Sequence, residues 1–230
     1  MLRRNLLPLL LLIVGACSPA YAPPIRGLHS GMPGRLAAGQ LELGGTAGGY
    51  ILPTAGGPHL AFGFTDSLLV EAGANLNLVE GVTSNWATGW AGVRLTREKP
   101  LGHGLRLVGD LELGAGAGVG GRINADAAEW TKLGAVGIYE GFGVGVQWRA
   151  LGLNARGRLD AAASSRAPTT LWPTAMLGLE VRPTRWLAIG AGGGYAGYWN
   201  DRDHLVSAWF YEAQVALIFD VMGQPGLTRR

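Results

Sequence analysis

Between about residue 39 and Asp220 the sequence repeats one pattern. Apolar residues alternate with polar residues or glycine, and turn residues break the run. In "LLVEAGANLNLV" the residues Leu68, Val70, Ala72, Ala74, Leu76 and Leu78 share one parity. Glu71, Gly73, Asn75 and Asn77 share the other. "LRLVGDLELGAGAGV" sets Leu107, Leu111, Leu113 and Ala115 against Arg106, Asp110, Glu112 and glycines. "LGLNARGRLD" sets Leu151, Leu153 and Ala155 against Asn154, Arg156, Arg158 and Asp160. A period of two means strands with unlike faces. About ten such segments fall at 39–50, 58–65, 68–79, 86–97, 105–120, 133–148, 151–163, 174–182, 187–199 and 206–220, with eight as the alternative number. Many exceed the roughly 5–6 residues of a globular strand and match the roughly 9–11 of a tilted membrane strand. The expected fold is all-β: a closed antiparallel up-and-down β-barrel.

The connections agree. The tight ones, "TDS", "REKPLGHG", "RALG" and "RPTRW", alternate along the chain with the longer "LPTAGGP", "VEGVTSN", "GGRINADAAEWTK", "SSRAPTTLWP" and "NDRDHLV". An up-and-down barrel puts tight turns at one end and long loops at the other, the tight end being periplasmic in outer-membrane barrels. Aromatics fall near both ends: Trp148, Trp186 and Phe219 at the tight end, Trp130, Trp199, Trp209 and Tyr211 at the other. Such belts are expected at membrane interfaces. Trp90 lies with the polar set of its strand and is expected inside.

Alternation alone leaves the outward face open. A lipocalin-like soluble barrel would turn its apolar face inward; a membrane barrel reverses it. Charged residues are only 15% of the chain, sparse for a solvated barrel exterior. The polar face carries isolated charges of both signs: Glu71, Arg94, Arg106, Asp110, Glu112, Arg156, Arg158, Glu180 and Arg182. These suit a narrow lumen in which buried charges must pair. A closed sheet also satisfies every backbone group in hydrocarbon.

The N-terminus reads as an export signal. "MLRR" is a short basic stretch before the apolar "NLLPLLLLIVGA", which is too short to span a bilayer as a helix. Cys17 is the only cysteine, so no internal disulfide forms and the residue calls for another role. "VGAC" supplies a branched residue and two small ones before it, as in a lipobox, while a cut after "AYA" would leave Pro23 next to the scissile bond. The expectation is a signal peptide over 1–16, a lipidated Cys17 opening a tether over 17–35, a barrel over 36–220 and a tail over 221–230.

Residues 36–220 resemble the small bacterial outer-membrane β-barrels, the group that includes OmpA-like and OmpX-like barrels. The match is one of strand and loop pattern and covers most of the mature chain. It implies an outer-membrane location with outer-membrane lipid as partner; Cys17 as lipid anchor comes from the lipobox, which is unusual on such a barrel. Such barrels usually end on an aromatic residue; Phe219 is the nearest match, and eleven residues follow it.

Little in the sequence points to catalysis. "GAGVGG" and "GGGYAG" both satisfy G-x-G-x-x-G, but a dinucleotide loop needs a helix after it, and both lie within strand alternation. His29, His59, His103 and His204 show no metal spacing, so neither cofactor nor metal is expected. "NDRDH" resembles the outer-rim acids and histidine of the omptin proteases, which makes Asp201, Asp203 and His204 the hydrolase alternative. That family's second acidic pair has no counterpart, and a polar surface loop is the plainer reading. The net charge of +3 is scattered, so nucleic acid is not an expected partner. The functional expectation is non-enzymatic: a membrane-structural, surface-interaction or narrow-channel role, with any protein partner unspecified. The soluble alternative is a lipid-anchored barrel binding an apolar ligand.

Overall fold

The computed structural model describes residues 26, 31–32, 36–49, 55–77, 84–123, 130–164, 169–197, 199 and 208–222. They form ten strands: β1 (Gln40–Gly49), β2 (Ala55–Thr65), β3 (Leu68–Asn77), β4 (Ser84–Gly102), β5 (Leu105–Ile123), β6 (Trp130–Trp148), β7 (Leu151–Ser164), β8 (Thr170–Thr184), β9 (Leu187–Ala196) and β10 (Ala208–Asp220). Each strand pairs antiparallel with its sequence neighbours, and β1 closes on β10, with Gln40 opposite Asp220. Ten strands, not eight, close the barrel. Both ends of the barrel sequence therefore meet at the tight-turn end.

Several strands run further than their alternation suggests. "REKPLGHG", expected as a connection, is mostly strand: β4 continues to Gly102 and only His103 and Gly104 form the turn. The reason lies in the pairing. Leu68, where β3 begins, faces Leu95, so β4 beyond Thr96 has β5 as its only partner. Thr96 N–H still donates to Ser67 O on the β3 side at 2.8 Å. Pro100 lies four residues on, so its nitrogen falls on that same side, now an open edge where no donor is needed. At the other end β5 and β6 pair as far as Ile123 and Trp130, shortening the loop expected over "GGRINADAAEWTK". The loop "NDRDHLV" lies outside the described residues, save that β10 begins just after it.

The alternation becomes inside and outside. Leu111 is 62% exposed, Val119 66% and Leu177 68%, while Glu42, Glu180 and Asp160 are buried. Val70, Leu76 and Leu113 also face outward. Trp148, Trp186, Phe64 and Phe219 are exposed at the tight-turn end. Tyr195, Trp199, Trp209 and Tyr211 are exposed at the other, where Tyr195 and Trp209 meet edge to face at 5.5 Å. An apolar wall between two aromatic belts, in a sheet closed by β1 on β10, is a surface built for lipid. The apolar face out excludes the soluble, lipocalin-like alternative.

The interior is not uniformly polar. At the tight-turn end Leu36, Ala61, Leu69, Ala188, Ala216 and Ile218 form a small apolar cluster. Leu36 precedes β1, so the N-terminal segment already enters the lumen there.

Candidate functional site in the barrel lumen

The register assembles the site. One row across the sheet reads Glu71, Gly92, Gly114, Tyr139, Asp160 from β3 to β7. The next inward row reads Arg94, Glu112, Gly141, Arg158, and the one after it Asp110, Gly143, Arg156. All are inward positions, so charges from four strands, β3, β4, β5 and β7, converge on a narrow space.

They pair closely. Arg156 Nη2 donates to Asp110 Oδ2 and Arg156 Nη1 to Glu112 Oε2, both at 2.8 Å. Arg94 Nη2 donates to Glu71 Oε2 at 2.7 Å, and Arg94 Nε lies 3.5 Å from Asp110 Oδ2. Arg158 Nε donates to Asp160 Oδ2 at 3.0 Å. Charges taken out of water persist only with such partners, and removing one partner is strongly destabilising.

The strands alone leave the cluster unbalanced: Glu71, Asp110, Glu112 and Asp160 face Arg94, Arg156 and Arg158. The fourth cation is Arg26, from the segment before the barrel. It is 1% exposed. Its Nη1 lies 2.8 Å from Glu112 Oε2 and 2.7 Å from Glu71 Oε1, and its Nη2 donates to Glu71 Oε2 at 3.1 Å. Its backbone is held as well: the N–H donates to Asp160 Oδ1 at 3.0 Å, and the carbonyl accepts from Arg158 Nη2 at 3.1 Å.

Two rings flank this guanidinium. Its carbon is 4.5 Å from the Trp90 ring centroid and 5.0 Å from that of Tyr139, both within cation–π range. The rings meet edge to face, 6.0 Å apart at 90°. Glycines let Tyr139 sit low against the wall: a Cβ added at Gly92 or Gly114 would collide with its phenol. Much of the glycine on this face is thus space for large side chains on adjacent strands.

The N-terminal segment is held at further points. Gly31 O accepts from Arg156 Nη2 at 3.1 Å, and Met32 N–H donates to Glu180 Oε2 at 3.1 Å. Met32 is buried against Gly145 and Gly152. Leu36 in the basal cluster, Met32 beside Gly145 and Gly152, and Arg26 in the charge cluster thus all lie inside the barrel.

Of the lumen candidates named from sequence, Glu71, Arg94, Asp110, Glu112, Arg156 and Arg158 are brought together. Glu180 is buried apart from them and accepts from Arg182 Nε at 2.9 Å. Arg106 has the inward parity but lies in the protruding β4–β5 ribbon, where its half-exposed side chain pairs with Glu98 at 3.2 Å. His59 Nε2 lies 2.8 Å from Glu42 Oε1 inside the wall. Trp90 is inside, as its parity implied. Arg26 and Tyr139 were missed. The inward parity of Tyr139 was a usable signal; Arg26 stands in a segment with no alternation to place it. Asp201, Asp203 and His204 lie outside the described residues. Among the described residues, no group of three or more His, Cys, Asp and Glu is arranged to hold a metal ion.

No protein-family model matches the chain, and no curated protein matches it in sequence. Solved structures give architectural likenesses. The N-terminal β-barrel domain of Pseudomonas aeruginosa OprF is 15% identical, over 80% of this chain and 100% of that one, with a TM-score of 0.39. The translocator domain of the autotransporter NalP from Neisseria meningitidis is 15% identical, over 79% and 86%, at 0.40. The outer membrane protease OmpT from Escherichia coli is 7% identical, over 78% and 93%, at 0.31. The assignment rests on the barrel's own surface and interior: the chain is a ten-stranded membrane β-barrel with an ion-paired lumen.

Proposed function

We propose that the protein is a lipid-anchored outer-membrane β-barrel with a non-enzymatic role in membrane structure or surface interaction, and that its lumen is closed to free diffusion. The observation that carries this is the buried charge cluster, completed by Arg26, inside a wall whose outer surface is apolar. Open aqueous channels belong to barrels of about 16–18 strands; a ten-stranded wall with arginine and glutamate side chains directed inward leaves little free cross-section. Of the roles read from sequence, a narrow solute path is disfavoured by Arg26 and Met32 inside the lumen.

Cys17 is the proposed acylation site. Arg26 lies nine positions after it in the chain, a reach of about 30 Å at roughly 3.3–3.6 Å per residue. That is enough for acyl chains in a leaflet while Arg26 stays in the lumen.

Two measurements test the reading. Planar-bilayer recording of the purified protein should show no stable open state; steady, well-resolved conductance would overturn the closed-lumen reading. Metabolic labelling with palmitate should mark the wild type and not Cys17→Ser, and labelling of both, or of neither, would remove the anchor.

A further inference from the structure

The cluster around Arg26 has the chemistry of a receptor. Strand residues supply all of it except the cation. Glu71 takes two guanidinium nitrogens side by side, Glu112 takes one of them, and the Trp90 and Tyr139 rings flank the plane. Without Arg26 this cluster carries four carboxylates, Glu71, Asp110, Glu112 and Asp160, against three arginines. The Trp90 Nε1 and Tyr139 Oη atoms are buried and have no hydrogen-bond partner among the described residues. A flat, delocalised, weakly hydrated cation with forked donors fits between rings and paired oxygens, whereas a compact ammonium offers three tetrahedral donors and a tighter hydration shell.

We propose that this lumen cage is a binding site for a guanidinium-bearing solute, with Arg26 as its tethered occupant. The site is independent of whether Cys17 is acylated and of whether the lumen conducts. Arg26 holds it by high effective concentration, so a free solute binds well only when that side chain is withdrawn or absent.

The test uses the full mature protein in detergent micelles, with n-butylguanidinium and n-butylammonium as probes, titrated by calorimetry into wild type and Arg26→Ala. The variant should bind n-butylguanidinium at least tenfold more tightly than n-butylammonium, and wild type should bind the guanidinium at least tenfold more weakly than the variant. Equal binding of the two cations by Arg26→Ala, or no binding, would overturn the proposal; so would equal guanidinium binding by variant and wild type, which would put the site elsewhere. If Arg26→Ala does not fold unaided, its refolding yield with each probe is the readout. Recovery with n-butylguanidinium alone supports the cage, and equal yields with both probes overturn it.

Discussion

Single residues here act through the partners they leave behind. Glu112 is the most connected acid of the cluster, in contact with Arg26 and Arg156 at 2.8 Å and with Arg94 at 3.6 Å. Glu112→Gln removes the charge that holds these arginines while keeping the shape. Breaking a buried ion pair from one side costs about 3–5 kcal/mol, so the variant should unfold at markedly lower temperature on heat-dependent gel mobility. Glu140 poses the opposite case. It is exposed on the outer wall, with Leu113 and Leu159 as its cross-strand neighbours. It stands eight residues above Trp148 on β6, a rise of about 20 Å for a strand tilted by roughly 40°. Within an apolar band about 25 Å tall, that places it near the Tyr195 belt, where a charge is tolerated. Glu140→Leu is therefore expected to fold normally and to gain no more than about 1 kcal/mol. A loss of folding would show that the carboxylate has an essential partner.

At the scale of elements, register and turn geometry do the placing. A one-residue slip of β5 against β4 would send Asp110 and Glu112 into lipid and Leu111 and Leu113 into the lumen. The β4–β5 turn has little freedom to slip: Gly102, His103 and Gly104 all have positive φ, at 94°, 51° and 77°. For His103 this is the left-handed region, tolerated by histidine and strongly disfavoured by β-branched residues. His103→Gly should be neutral or up to about 1 kcal/mol stabilising. His103→Val should cost about 1–2 kcal/mol, measured as a shift of the urea midpoint for unfolding from micelles. The turn is exposed, so equal effects of the two substitutions would contradict the backbone explanation.

For the whole molecule, two attachments to the membrane are separable. The barrel wall holds itself in lipid, so signal-bearing Cys17→Ser should still resist carbonate extraction; its release into the soluble fraction would contradict the membrane assignment. The lumen depends on the segment before β1. Deleting residues 18–32 withdraws Arg26, Gly31 and Met32 and leaves the strand-borne charges one cation short. The deletion variant should show bilayer conductance above that of wild type and lower thermal stability. Unchanged conductance would mean that the strand side chains close the lumen unaided.

The alternation, hence which residues share a face, and the order of tight and long connections, hence a meander, were legible in the order of residues alone. Both follow from local geometry: a strand turns its side chains over every second residue. Residue order also marked most of the lumen charges, because a charge at an inward position of a two-faced strand has nowhere else to go. Strand ends were less legible: β4 runs through Pro100 because only its neighbours decide where the barrel wall stops. The number of strands needed the closure of β1 on β10, a contact between residues 180 positions apart in the pair Gln40 and Asp220. The outward direction of the apolar face also became visible only in the closed barrel. Arg26 was the least legible. It sits in a stretch rich in proline, glycine and small residues, with no period to assign it a face. Only the folded wall gathers Glu71, Asp110, Glu112 and Asp160 beside Arg94, Arg156 and Arg158, and so gives that one side chain its place.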